Sequence, residues 1–305
     1  MKTLILHHDD CLNHDTGPHH PERPERVTTI LNALAGLPGT ERLAAPVASA
    51  EQVLRAHDQS YWAGLQALDP GPDRLALDAD TVISAGSLEA ALRGSGGACF
   101  AVDQVLAGQS RNAFVVTRPP GHHAEAATAM GFCLLNHVAI AARHAQAVHG
   151  IKRVVILDFD VHHGNGTQAI FEDSPDVMYL SSHQVPLYPG TGLPMETGCG
   201  NILNLALEPG AGSKPFRKLW SAAGFPAMRH FRPELILMSA GFDAHQRDPL
   251  GQLELTDDDF GWITAQVRAY AQTACDGRLV SVLEGGYDLE ALAGASVAHV
   301  TALTA

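Results

Sequence analysis

The chain has 305 residues, 46% of them hydrophobic, enough for one large α/β domain with a sizeable core. Its formal net charge of -13 and isoelectric point near 5.6 exclude a protein held on nucleic acid or an anionic membrane by global charge, because phosphate binding needs basic patches. The five cysteines are scattered, odd in number and free of any Cys-x-x-Cys pair, so they indicate neither a disulfide framework nor a thiolate metal site, and a reducing cytoplasm fits them best.

The amino terminus is apolar only from Leu4 to Leu6 before His7-His8-Asp9-Asp10, which predicts a short first strand and neither a signal peptide nor a membrane span. Helical composition follows at Leu88 to Leu92, then a β-rich run from Ala113 to Thr117. A helix is expected from Asn136, as N-cap, to Gly150, as C-cap. Further apolar runs at Val154 to Leu157, Val177 to Leu180, Leu235 to Ser239 and Leu279 to Leu283 alternate with helical segments. This is the pattern of an α/β domain with a parallel sheet. Gly- and Pro-rich loops at Asp69 to Pro72, Pro186 to Pro194 and Glu208 to Pro215 are too short for interdomain linkers, so one domain is expected over residues 1–305.

Four polar clusters each sit just past a strand: Arg118 to His123, Asp158 to His163, Ala240 to Asp243, and Glu284 to Tyr287. In an open parallel sheet those strand ends share one edge, where ligand crevices form, so clusters distant in sequence are expected to converge. Asp158, Asp160 and His162 occupy alternate positions, so an extended backbone points them the same way, and carboxylates at the end of a buried strand call for a cation. Asp160 and His162, joined by Asp243, would make a two-carboxylate, one-imidazole shell with open positions, zinc being the default metal and ferrous iron the alternative. Such a metal activates water and polarises a carbonyl, which suits amide or ester hydrolysis. His122 and His123 supply imidazoles for proton transfer, with Asp158 and Asn165 available to orient them. Tyr287, on the Gly285-Gly286 turn, could donate its hydroxyl to a developing oxyanion. The segment Gly164 to Ala169 also fits a loose G-x-G-x-x-A dinucleotide pattern, but Asp158 and Asp160 would repel a pyrophosphate.

These residues closely resemble the zinc-dependent histone deacetylase family, class II-like branch. The resemblance rests on Arg118-Pro119-Pro120-Gly121-His122-His123, Gly131-Phe132-Cys133, Asp158 to Gln168, Ser239 to Asp243 and Leu283 to Tyr287, in order from His19 to the carboxyl end. It implies the arginase/deacetylase fold, a single α/β domain around a mostly parallel, about eight-stranded sheet. It further implies zinc on Asp160, His162 and Asp243, His123 as general base and acid oriented by Asn165, His122 paired with Asp158 as an electrostatic partner, and Tyr287 polarising the acyl carbonyl. A structural potassium ion would use the Asp158 and Ser181 side chains, and an outer one the main-chain oxygens near Phe171, Ser174 and Val177. Phe132 and Tyr188 resemble the walls of an acyl-lysine tunnel, flanked by Gly131 and Gly285, and Arg23 resembles the arginine near the acetate exit.

At Asp248-Pro249-Leu250-Gly251, Leu250 stands where polyamine-selective relatives carry a glutamate, which favours a less charged acyl chain. The short Ser181 to Gly192 stretch looks like prokaryotic members. The expected activity is therefore deacylation of N-acyl lysine in a peptide or protein, or of a similar small amine, in a bacterial cytoplasm. An acetylpolyamine or small-molecule amide hydrolase and a silent acyl-lysine-binding protein are the alternatives. No nucleic acid or membrane partner is expected, and a homo-oligomer is compatible with the sequence.

Overall fold

Val154–Asp158 carries no polar residue until its last position, and it forms a strand with every residue buried. Its alternate side chains enter two different cores. Val154 and Ile156 join the apolar layer on one face of the sheet, Val155 and Leu157 the layer on the other.

The computed structural model describes residues 1–305. In chain order the strands are β1 (Thr3–His7), β2 (Thr40–Ala44), β3 (Leu75–Ala76), β4 (Val82–Ile83), β5 (Asn112–Val115), β6 (Val154–Asp158), β7 (Val177–Gln184), β8 (Ile202–Leu207), β9 (Leu235–Ala240) and β10 (Leu279–Leu283). The helices are α1 (Glu25–Ala33), α2 (Ala50–Val53), α3 (Gln59–Ala67), α4 (Ser87–Leu106), α5 (His137–His149), α6 (Asn165–Phe171), α7 (Ser213–Leu219), α8 (Phe225–Phe231), α9 (Asp257–Ala274) and α10 (Leu289–Thr304). Eight strands form one parallel sheet in the order β2-β1-β5-β10-β9-β6-β7-β8. The remaining two, β3 and β4, pair as a small antiparallel ribbon. None of the helices is long and apolar enough to cross a membrane.

All six apolar runs become sheet strands, and α5 starts and stops where its caps indicate. The Asn136 side chain accepts from the Ala139 N–H, and Gly150 takes the left-handed conformation at φ 67°. The two sheet strands without an apolar run, β2 and β8, are the sheet's edges. Exposed Glu41 and polar Asn204 interrupt them, as suits strands with one unpaired side.

Strands β5, β10, β9 and β6 are consecutive neighbours at the centre of the sheet. Their carboxyl ends release the four polar clusters side by side. Asn165 opens α6 and Tyr287 stands just before Asp288, the N-cap of α10 whose side chain accepts from Ala291 N–H, so helix starts fix both residues.

Candidate metal and catalytic site

The Asp160, His162 and Asp243 donor atoms lie within 4.8 Å of one another. His162 Nδ1 stands 3.1 Å from Asp160 Oδ1 and 3.1 Å from Asp243 Oδ2. Backbone groups aim the carboxylates: Gly285 N–H donates to Asp160 Oδ2 at 2.8 Å, and Val161 N–H to Asp243 Oδ1 at 2.8 Å. Gly285 is required by this closeness, since a Cβ there would stand 2.0 Å from Asp243 Oδ2.

The electrostatics of the trio suit a cation. Burial and then repulsion from Asp160 push the Asp243 carboxyl up to about 7, while His122 and His162, against the cost of burial, hold Asp160 well below the carboxylate range. Two buried carboxylates driven apart in this way are relieved by a divalent ion, and two oxygens with one imidazole nitrogen form a donor set suited to zinc. The group Asp103, His144 and His149 between α4 and α5 is different in kind. Arg55 donates to His144 Nδ1 at 2.8 Å, which leaves the ring proton on Nε2, facing Asp103 at 2.7 Å, so no lone pair is offered there.

The two neighbouring histidines are tuned in opposite directions. Burial lowers the His122 imidazole, but Asp160 and Asp158 outweigh it and push it up to about 10. Its Nδ1 donates to Asp158 Oδ2 at 3.0 Å, and that carboxylate also accepts from the Tyr179 hydroxyl at 2.8 Å. His123 is driven well below its usual value by burial and by the His122 and His162 charges. Its Nδ1 faces Asn165 Oδ1 at 2.8 Å, and the Asn165 amide nitrogen is directed to Glu125 at 3.0 Å, which fixes the amide's orientation. His123 is thus a neutral imidazole with its proton on Nδ1 and a lone pair on Nε2.

A pocket of about 240 Å³ opens over these groups, lined by His123, His162, Tyr287, Phe132, Tyr188 and Leu250. The Tyr188 ring meets His123 edge-on at 5.2 Å, and Phe132 meets Tyr287 edge-on at 5.9 Å. Gly131 also lines the pocket, at φ 56°, where a Cβ would come within 2.5 Å of the His123 ring. Leu187 and Asp80 complete the lining, and neither was singled out in the sequence. Asp80 arrives on the turn between β3 and β4, whose Thr81 hydroxyl also accepts from Phe132 N–H at 3.2 Å.

Arg23 requires a correction, because it is exposed and makes no contact with the pocket, whereas Arg26, three residues on, is fully buried. The Arg26 guanidinium lies 4.8 Å from the Tyr287 ring centroid and donates to the main-chain oxygens of Gly286, at 2.7 Å, and Glu284. It also pairs with buried Glu22 at 3.2 Å, which Arg118 grips through two nitrogens at 2.7 and 2.5 Å. Burial raises the Glu22 carboxyl, yet Arg118 overrides it and pulls it down to about 2 from an ordinary 4.5. Glu22→Gln, which leaves two guanidinium groups buried without their anion, should destabilise the fold at pH 7 by about 3–5 kcal/mol. Glu22's contribution is complete above pH 4.5 and fades as the pH falls towards 2, so denaturant unfolding of the two proteins should converge in acid.

Glu284, the first residue past β10, has a structural task that its motif does not reveal. Its buried carboxylate accepts from Gly121 N–H at 2.7 Å, His122 N–H at 3.1 Å and the Ser239 hydroxyl at 3.0 Å, tying the histidine loop to two strand ends. Ser181 lies opposite Asp158 in the β6–β7 register, and its hydroxyl bonds His183 Nδ1 at 2.8 Å. The Phe171, Ser174 and Val177 carbonyl oxygens converge on the Asn201 side chain, at 2.8, 3.0 and 2.7 Å, which brings together the three main-chain oxygens that the resemblance implies for an outer potassium ion.

The histone deacetylase domain model matches residues 20–303. A probable deacetylase of Archaeoglobus fulgidus is 40% identical over 299 residues, covering 95% of this chain and 82% of the relative. A histone deacetylase-like amidohydrolase of Pseudomonas aeruginosa is 40% identical over 313 residues, with 94% and 82% covered. The crystal structure of the HDA15 HD domain superposes with a TM-score of 0.91 at 32% identity, over 99% of this chain and 90% of that one. The chain belongs to the histone deacetylase family.

Proposed function

We propose that the protein is a zinc-dependent deacylase that hydrolyses the amide of N-acetyl or other N-acyl lysine, or of a related amine. The observation that carries this reading is the shared pocket face of a neutral His123, the ligand His162 and Tyr287. Held by Asp160, His162 and Asp243, zinc would supply a Lewis acid and lower the pKa of water. His123 Nε2 takes the proton of the attacking water and returns it to the leaving amine, while Asn165 keeps the ring in the tautomer this requires. His122, held protonated between Asp158 and Asp160, contributes positive charge and no proton transfer. The Tyr287 hydroxyl donates to the acyl oxygen as negative charge develops on it. Phe132 and Tyr188 flank the methylene chain and keep water off it. Asp158 and Ser181, paired in the β6–β7 register, would hold a structural potassium ion.

Leu250 places an apolar side chain in the tunnel, whereas Asp80 gives the same pocket one carboxylate, which favours a second reading in which a small acetylated polyamine is taken as well. A side-by-side assay of an acetyl-lysine peptide, longer acyl-lysines and acetylated polyamines tests both. Higher kcat/KM for the peptide supports the first reading, and the reverse order favours the second. Leu250→Glu should shift the polyamine-to-peptide ratio upwards by about threefold, the size of one added ion pair at a solvated rim.

A further inference from the structure

Asp248 belongs to the loop that follows β9, five residues after the ligand Asp243, and its carboxylate is buried without touching the pocket. Its two oxygens face different loops. Oδ1 accepts from Leu250 N–H at 3.0 Å, closing an Asx turn around Pro249. Oδ2 accepts from Tyr287 N–H at 2.6 Å and more weakly from Asp288 N–H at 3.4 Å, on the turn between β10 and α10. One side chain therefore buckles the segment carrying Leu250 to the segment carrying Tyr287, and both of those residues line the pocket.

The need for such a buckle is visible around Tyr287. Its ring is contacted by Arg26 beneath and Phe132 at its edge, both from outside the β10–α10 turn that carries it. Gly286, just before it, has φ 119° and no side chain to hold it. The short bond from Asp248 to Tyr287 N–H removes the freedom that this glycine would otherwise allow. Asp288 is engaged beyond it, as the N-cap of α10 and by Arg247 at 3.5 Å.

We infer that Asp248 is a positioning residue, which sets the height of the Tyr287 hydroxyl over the metal ligands by anchoring the Tyr287 backbone to the loop that carries Leu250. The inference rests on the proposed role of Tyr287 and deepens it. Asp248 acts through Tyr287 and does not meet the substrate. Its loss should therefore lower kcat and leave KM and zinc content nearly unchanged.

The test is a double-mutant cycle with Tyr287→Phe, measured on an acetyl-lysine peptide with the zinc-loaded full chain. Asp248→Ala should lower kcat by about 100-fold, and Asp248→Asn, which keeps one acceptor and the shape, by about tenfold, the range for losing or weakening charge-assisted hydrogen bonds. In the Tyr287→Phe background either change should cost less than about threefold, because the hydroxyl being positioned is already gone. The same fold-loss in both backgrounds, or an Asn variant with wild-type kcat, would overturn the inference. If the alanine variant does not fold, the Asn arm alone decides. A Tyr287→Phe protein as active as the wild type would instead refute the role of Tyr287, so the two failures are distinguishable.

Discussion

Asp243→Asn is expected to weaken zinc binding by well over a hundredfold and to remove activity with it. Changing a group that only orients a ligand costs about 10- to 100-fold in metal affinity, and removing a charged ligand costs more. The Asn side chain keeps the shape and can still accept from Val161 N–H, so the loss should appear in the metal and not in the fold. The metal-free proteins carry a second signature. Asp243 titrates near 7 in the metal-free fold, above its ordinary 3.8, through burial and repulsion from Asp160. Ionising it therefore costs stability as the pH rises from about 4 to about 7, the cost is complete above that, and Asn escapes it. At pH 8 the metal-free Asn variant should melt no lower than the metal-free wild type, and zinc should raise the Tm of the wild type alone. Elemental analysis and thermal melts with and without zinc check both statements.

Tyr287→Phe should lower kcat by about two to three orders of magnitude, the usual size of losing one oxyanion donor, at an unchanged zinc stoichiometry. Phenylalanine retains the ring that lies over Arg26 and against Phe132, so the variant differs by one hydroxyl in a packed setting. KM should move little, because the hydrogen bond strengthens as charge reaches the acyl oxygen. Steady-state kinetics on an acetyl-lysine peptide would contradict the assignment if kcat stayed within a factor of about three.

The sheet could be read where burial leaves no choice of residue. Val154 to Leu157 and Leu235 to Met238 face a core on both sides, so their sequences are uniformly apolar. Strand β2 has no such constraint, and Thr40-Glu41-Arg42 carries no strand signal of its own. The convergence of Asp160, His162 and Asp243 was readable for a related reason. Alternate positions at a strand end fix direction from spacing alone, and a parallel sheet brings distant strand ends to one edge.

Long-range acceptors are the part that spacing does not encode. Glu284 and Asp248 hold backbone N–H groups of other loops, so their importance lies in partners 163 and 39 residues away. Arg23 and Arg26 are the same residue type three positions apart, either side of the start of α1, and burial beneath Tyr287 distinguishes the second. Asp80 reaches the pocket on the turn between two strands of two residues each, too short to leave a periodic pattern.

The most direct test of a zinc-dependent deacylase is to measure zinc content and acyl-lysine hydrolysis on one preparation of the protein. The expected result is one zinc per chain, hydrolysis of an acetyl- or longer acyl-lysine peptide, loss of both on chelation and recovery of both when zinc is returned. A protein that binds one zinc and hydrolyses no acyl-lysine peptide and no acylated amine would contradict it.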